Sequence, residues 1–372
     1  MKVALVHDFL IKNGGAERVL ELLHQVFPEA PIYTLLFDPV GTKGVFSSSD
    51  YNIIESKLAK YPKFLKNRSK LLLPKFAQAI EEFDLSEYDM VISNSNSFAH
   101  GVITKPQTVH ICYCHSPIRY LWDWQAEYAK ENNIGFGLLS IYIRKLFSQI
   151  RVWDYYSSRR VDHWIANSKN VQKRIKKYYH ADSDIIYPAS QLSAIGKVEK
   201  NKDYYLILSR LSSYKKIDLA VEAFNISGKK LKVVGEGSEA SRLKKMAREN
   251  IEFLGYQSNL EVKKYLSECK ALVFPGEEDF GLTPIEAMSV GRPVIAYAKG
   301  GVAESVINNR TGVFFENSNA ISLNQAIDYF EKNPDLFKPE YCQKRANDFS
   351  KVSFINNFKS YVKNKYKYCR ND

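Results

Sequence analysis

Short apolar runs, each followed by an amphipathic stretch, recur along the 372-residue chain in two series, and this alternation constrains the fold more than any other feature. The first series is Val3-Ala-Leu-Val6, Met90-Val-Ile92, Val109-His-Ile-Cys112, Trp164-Ile-Ala166 and Ile185-Ile-Tyr187, with helical patterning over 16–26. A second follows the polar stretch 196–203: Tyr204-Tyr-Leu-Ile-Leu208, Leu231-Lys-Val-Val234, Ile251-Glu-Phe-Leu254, Ala271-Leu-Val-Phe274, Pro293-Val-Ile-Ala296 and Gly312-Val-Phe-Phe315. Helices fit 216–225, 239–248, 259–268 and 284–290 between them. Apolar runs of this kind suit strands buried on both faces, as in a mostly parallel sheet covered by helices. The length suits two domains. The pattern predicts an N-terminal Rossmann-like domain over 1–190, a C-terminal one over 191–346 and a basic, aromatic helical tail over 347–372. Two such domains facing each other leave a cleft, and ligands of open α/β sheets bind beyond the carboxyl ends of the strands.

The sites are therefore sought where strands end. Glu278-Asp-Phe-Gly-Leu-Thr-Pro-Ile-Glu286 follows the run ending at Phe274 and opens a helix. Free N–H groups at such a turn can hold phosphate, and the carboxylates can hold hydroxyls. Ser209-Arg210-Leu-Ser-Ser-Tyr-Lys215-Lys216 ends the first strand of the second series. Arg210 and Lys215 can converge on one diphosphate, a planar fork and a point charge; Lys216 fits a solvated position. Gly14-Gly15-Ala16-Glu17 and Val234-Gly235-Glu236-Gly237 each join a strand to a helix. Each is either a tight turn needing small residues or a loop that lets a ligand approach the backbone. Neither is a GxGxxG dinucleotide fingerprint. His115, in His115-Ser-Pro117 after the 109–112 run, can reach a sugar hydroxyl or orient an acceptor, or serve structure alone. His7 beside Asp8 and, at lower rank, His100 are further strand-exit candidates; His110 reads as structural.

A net charge of +12 favours anionic partners: phosphates, nucleic acid or an acidic membrane surface. From 56 to 75 there is no acidic residue, while Lys57, Lys60, Lys63, Lys66, Arg68, Lys70 and Lys75 are interleaved with Leu58, Tyr61, Phe64, Leu65 and Leu71-Leu-Leu73. Cations beside apolar groups suit peripheral contact with an anionic membrane, or a solvated helix face over a buried stripe. Aromatic residues crowd 113–156, some as core and the remainder as a platform for a glycan acceptor. Nucleic-acid binding uses similar ingredients, but no recognition motif for it is present and no specific nucleic-acid partner is expected. The five cysteines are odd in number and sparse, and Cys112-Tyr-Cys114 is too tight for a CxxC pair. They read as small buried residues of a cytosolic protein. The opening Met1-Lys-Val-Ala-Leu-Val-His-Asp8 reads as a strand rather than a leader, and no apolar stretch is long enough to span a membrane. No HExxH, Walker A or Cys/His zinc spacing occurs, nor a convincing pair of clustered aspartates, so no metal is assigned.

In the order and position of these motifs the chain resembles the retaining GT-B glycosyltransferases of family 4, in particular bacterial mannosyltransferases of O-antigen and polysaccharide assembly. The likeness is strongest over 209–301 and most specific from Glu278 through Ile295. It implies a GT-B fold with a C-terminal helix crossing back to the first domain. By this resemblance Glu278 contacts the donor sugar and Glu286 the nucleotide ribose. The backbone around Phe280, Gly281 and Leu282, with Thr283, borders the diphosphate. Arg210 and Lys215 stabilise the departing nucleoside diphosphate, and His115 contacts the sugar. Gly14 and Gly15 lie near the diphosphate or acceptor, and Gly235 and Gly237 near the base. The implied activity is α-mannosyl transfer from GDP-mannose, without a further cofactor, to a polysaccharide or lipid-linked glycan acceptor at the inner face of the cell membrane. No motif selects guanine independently, and a UDP-sugar-dependent hexosyltransferase is the alternative. A non-catalytic basic protein binding membranes or nucleic acid explains the charge but not the ordered strand-end sites.

Overall fold

The computed structural model describes residues 1–62, 69–131, 134–135, 137–190 and 201–368. Contacts divide the chain into two compact units, Met1–Tyr187 with Ile355–Asp372, and Pro188–Phe354. Residues 191–200, most of the boundary expected at 188–200, part of the basic stretch (63–68), Phe136 and Cys369 lie outside the described residues.

The first unit is built on β1 (Val3–His7), β2 (Ile32–Thr34), β3 (Ile53–Glu55), β4 (Met90–Ser95), β5 (Val109–Cys114), β6 (His163–Ala166) and β7 (Ser183–Ile185). They form a seven-stranded sheet in the order β3-β2-β1-β4-β5-β6-β7, with every pair parallel. β1, β4 and β5 are buried along their whole length, which is why their sequences read as apolar runs rather than alternations. β2 and β3 span three residues each, too short for a periodic signal, and sequence reading passes over them. Register aligns His7 with Asn94, and Asn94 with Tyr113, so the carboxyl ends of β1, β4 and β5 finish side by side. The helix Gly15–Val26 packs Val19, Leu20, Leu22 and Leu23 inward. A 20-residue helix, Leu138–Ser157, buries Phe147 and Ile150.

The second unit carries β8 (Tyr205–Leu208), β9 (Leu231–Val234), β10 (Ile251–Gly255), β11 (Leu272–Phe274), β12 (Val294–Tyr297) and β13 (Gly312–Phe315). Their order is β10-β9-β8-β11-β12-β13, again all parallel. Ile207, Val233, Val273, Ile295 and Val313 meet Phe224, Leu323 and Ile327 of the covering helices in one core. Each such side chain contributes about 1.5–3 kcal/mol on burial. The helix expected at 284–290 begins earlier, as Leu282–Ser289. Pro284 lies in its first turn, where a missing N–H costs no hydrogen bond. The chain ends in a helix, Lys351–Tyr368. Cys112, Cys114, Cys269 and Cys342 are buried free thiols. Among the described residues no helix is long and apolar enough to cross a membrane.

Candidate functional site

In the second unit the sheet order sets the loops after β9, β8, β11 and β12 side by side at the carboxyl edge. Backbone bonds knit them together. Leu211 N donates to Glu236 O at 2.9 Å, and Gly301 N to Glu278 O at 2.9 Å. Gly235 has φ +132, and a Cβ there would run into the Ser209 carbonyl; one on Gly237 would strike that of Leu211. The glycines of this loop thus serve close packing against the 209–211 strand exit that carries Arg210. A Cβ on Gly276 would come within 2.8 Å of the Lys215 carbonyl oxygen, so the 276–278 loop lies directly on the turn bearing Lys215.

That apposition brings two predicted residues together: Lys215 Nζ forms an ion pair with Glu278 Oε1, their side chains 13% and 22% exposed. Lys215 Nζ also lies 5.1 Å from the Tyr214 ring centroid. Arg210 is exposed, and its guanidinium has no hydrogen-bond or ion-pair partner among the described residues. Gly281, at φ +86, turns the chain into the Leu282–Ser289 helix, and no side chain caps that N-terminus. Leu282 and Thr283 are half-buried at the helix start. Phe280 is turned away, its ring packed at 5.7 Å on Phe349, so only its backbone can border a ligand. Glu286 is 5% exposed within the helix. Among the described residues the arrangement offers a cation without a partner, Arg210, a cation neutralised by a carboxylate and an open helix start, which together suit a polyanion bearing hydroxyls.

In the first unit the ends of β1, β4 and β5 hold a continuous polar chain. Glu17 Oε1 lies 3.6 Å from His7 Nε2, a charge pair rather than a full hydrogen bond. His7 Nδ1 lies 3.1 Å from the Asn94 carbonyl oxygen, and Asn94 Oδ1 2.7 Å from His115 Nε2. Burial works against a charge on His7, but Glu17, supported by Asp8, more than compensates and raises its pKa. Burial likewise works against the Glu17 carboxylate, and His7 holds its pKa below the ordinary value. His115 is half-buried; burial, and secondarily the charge on His7, push its pKa down to about 3. Asp8 accepts four backbone N–H groups, those of Asn96 (2.7 Å), Ser97 (3.1 Å), Phe98 (2.6 Å) and Ala99 (2.6 Å), and so shapes the loop after β4. Gly14 precedes the Gly15–Val26 helix without a side-chain cap. A Cβ on Gly14 would approach Glu17 Oε2 to 3.0 Å, which ties that loop to the polar chain.

Sequence reading singled out His7 and His115 and missed Asn94, which links them, and quoted Glu17 only within the Gly14–Glu17 motif and not as the partner of His7. The available signal was polarity: Ser93, Asn94 and Ser95 interrupt an otherwise apolar strand. His100 is not a strand-exit ligand. It is 1% exposed, between Asp154 Oδ1 at 3.3 Å and Ser157 Oγ at 3.1 Å. His110 is buried against Ser93 Oγ at 2.8 Å. Much of the aromatic stretch is core: Tyr120, Tyr128 and Phe147 pack together, and Trp122 stacks on Tyr178. Among the described residues no group of three His, Cys, Asp or Glu side chains could hold a metal ion.

Residues 13–189 match the profile described as Glycosyltransferase Family 4, and residues 190–349 that described as Glycosyl transferases group 1. An uncharacterized glycosyltransferase of Methanocaldococcus jannaschii is 26% identical over 201 residues, 53% of this chain and 56% of its own length. The human alpha-1,3/1,6-mannosyltransferase ALG2 is 24% identical over 297 residues, 69% of this chain and 67% of that protein. Among solved structures, HepE of Anabaena in complex with UDP superposes with a TM-score of 0.70 at 17% identity, covering 98% of this chain and 100% of that one. Sucrose-phosphate synthase of Thermosynechococcus elongatus gives 0.76 at 17% identity, covering 99% and 100%. These likenesses establish the GT-B fold, with two Rossmann-like lobes each built on a parallel sheet flanked by helices. HepE was also solved with UDP and glucose and with UDP-glucose. The nucleotide held by HepE is a uridine diphosphate, which overturns the expectation of GDP-mannose-dependent mannosyl transfer.

Proposed function

We propose that this chain, which belongs to the GT-B glycosyltransferases of the group 1 and family 4 superfamily, transfers a hexosyl group from a UDP-sugar to a glycan or lipid-linked glycan acceptor with retention of configuration. The observation that carries the reading is the Lys215–Glu278 ion pair, on the same post-β8 segment as Arg210, which has no side-chain partner among the described residues, with the uncapped Leu282–Ser289 helix following Glu278. Cleavage of the sugar C1–O bond leaves both electrons on the β-phosphate of UDP. Cations and N–H groups already in place bind that new charge better than they bind the intact donor. Lys215 and Arg210 are assigned to the β-phosphate. Glu278, released from Lys215, is assigned to a sugar hydroxyl and Glu286 to the ribose. Gly235 and Gly237 are assigned to the base region, and Gly14 and Gly15 to the diphosphate or acceptor. The acceptor oxygen bonds to C1 and its proton passes to the β-phosphate oxygen that has just been freed. No protein nucleophile is needed, and Glu278 is not assigned that role. The test is a panel of nucleotide sugars read by nucleotide release and thermal shift. UDP-hexoses are expected to give the largest responses; a guanosine donor that matches or exceeds them overturns the reading.

The acceptor side of the proposal includes peripheral contact with an anionic membrane through the Leu138–Ser157 helix. Leu138 (87%), Leu139 (72%), Ile141 (64%) and Tyr142 (57%) stand exposed on it. Residues 132–153 contain no acid, while Arg144 and Lys145 are exposed on the same helix. Cations flanking an apolar stripe match lipid phosphates over an acyl boundary. Sedimentation with phosphatidylglycerol vesicles is expected to be lost in Ile141→Glu/Tyr142→Glu, with nucleotide release unchanged. Equal sedimentation of the variant and the unmodified protein refutes it.

A further inference from the structure

We propose that Asn94 is a positioning residue that locks the His115 imidazole in the tautomer protonated on Nε2. Nδ1 is then left as a hydrogen-bond acceptor, and His115 receives, rather than donates, a hydrogen bond from a substrate hydroxyl. The role deepens the glycosyltransferase reading and rests on it.

The argument starts from the amide. A side-chain amide has one donating and one accepting end, and its neighbours decide which way it points. Asn94 Nδ2 lies 2.8 Å from the Ala16 carbonyl oxygen, which can only accept. The nitrogen must therefore face Ala16; turning the amide over would set two acceptors against each other. The oxygen is thereby committed to His115, whose Nε2 stands 2.7 Å away and must carry the proton. With His115 held neutral by its surroundings, its second nitrogen carries a lone pair. Nδ1 has no hydrogen-bond partner among the described residues. The rest of His115 is held by backbone and ring contacts. Its N–H donates to Ser95 O at 2.8 Å. Its carbonyl accepts from Asn167 Nδ2 at 3.1 Å. Its ring meets Tyr113 at 5.2 Å.

The amide is itself anchored from three elements. β4 carries it, the first turn of the Gly15–Val26 helix supplies the Ala16 carbonyl, and His7 at the end of β1 sets its Nδ1 3.0 Å from the amide nitrogen. Burial, and secondarily the charge on His7 against the opposing pull of Glu17, make a positive charge on His115 unfavourable. A sugar is rich in hydroxyl donors, and a neutral imidazole presenting a lone pair takes one without adding a cation near an oxocarbenium-like centre. If Nε2 were instead the deprotonated nitrogen, it would face the Asn94 oxygen and Nδ1 would present a donor. The lock therefore decides the polarity of the site.

The test is nitrogen-15 NMR of the histidine side chains in the full chain, with turnover of the best UDP-hexose measured on the same variants. In the unmodified protein His115 is expected as the single tautomer protonated on Nε2. Asn94→Ala is expected to mix the two tautomers and to lower kcat roughly tenfold, the worth of one neutral hydrogen bond, with KM for UDP-sugar nearly unchanged. Asn94→Asp keeps an acceptor opposite Nε2, so it is expected to keep the tautomer. It should also shift the acidic limb of the pH–rate profile upward, because a carboxylate favours the protonated ring. A merely structural Asn94 would instead lower the unfolding midpoint of both variants alike and leave the profile in place. An unchanged His115 tautomer in Asn94→Ala overturns the lock. If no UDP-sugar is turned over, the functional reading fails, and the NMR result still decides the tautomer.

Discussion

Replacing Lys215 by methionine separates its observed role, ion-pair partner of Glu278, from its proposed one, cation for the leaving group. Methionine keeps the aliphatic stem, so the change is mainly one of charge. An exposed pair contributes about 0–1 kcal/mol, and removing one member of a fully buried pair costs about 3–5 kcal/mol. With side chains 13% and 22% exposed, this pair falls between, and Lys215→Met is expected to cost about 1–3 kcal/mol of unfolding free energy. The catalytic loss follows a different rule. Removing one preorganised group from a developing oxyanion lowers turnover by about 100- to 1000-fold. The double variant Lys215→Met/Glu278→Gln tells the two apart. It restores charge balance within the pair, so stability is expected to recover by roughly 0.5–3 kcal/mol of coupling, while nucleotide release stays as low as in the single variant. Urea unfolding and UDP release under saturating donor measure both. Turnover that recovers along with stability would refute the catalytic assignment and leave Lys215 a structural residue.

Gly281→Ala is expected to destabilise the second unit by about 1–3 kcal/mol in urea, because φ is +86 and the new Cβ would lie 2.9 Å from the Phe274 ring. An unchanged midpoint shows that the turn relaxes at no cost. Asp8→Asn leaves one oxygen for the four N–H groups that Asp8 now accepts, and a loss of roughly 1.5–3 kcal/mol is expected by the same measurement. The His7–Glu17 pair confers a pH window. The stability His7 adds is fully present below its ordinary 6.5 and is lost as pH rises through its raised value. That from Glu17 is present above its ordinary 4.5 and lost as pH falls through its lowered value. The stability gap between the unmodified protein and Glu17→Gln should therefore be widest between these two values; a gap that is flat with pH denies the pair its charge.

What could be read from the chain depended on whether the signal was local. β1, β4, β5, β8, β11, β12 and β13 are buried along all or most of their length, and such burial writes an apolar run that needs no neighbour to interpret; β9 and β10 are interrupted by Lys232 and the exposed Glu252. β2 and β3 gain their place from pairing beside β1, and three residues carry too little pattern to show it. The same distinction holds at the sites. Gly281, Pro284 and the acids around them announce a turn into a helix within a few positions. Lys215 and Glu278 meet only because β8 and β11 are neighbours in the sheet, an order that sequence alone does not dictate. Asn94 is the sharper case. Its amide takes its orientation from Ala16, and its consequence falls on His115. It unites three segments distant in sequence, and its residue type is common in loops. The identity of the nucleotide base was still less accessible. The 235–237 loop that the resemblance places near the base is shaped by glycines packing on carbonyls of the 209–211 strand exit. Gly235 and Gly237 contribute only the backbone N–H and C=O groups that nearly every residue type shares, so their identity in the sequence does not tell uracil from guanine. A donor preference guessed from family likeness was therefore the element most open to correction, whereas the proposed phosphate contacts rest on charges and N–H groups that any nucleoside diphosphate would use.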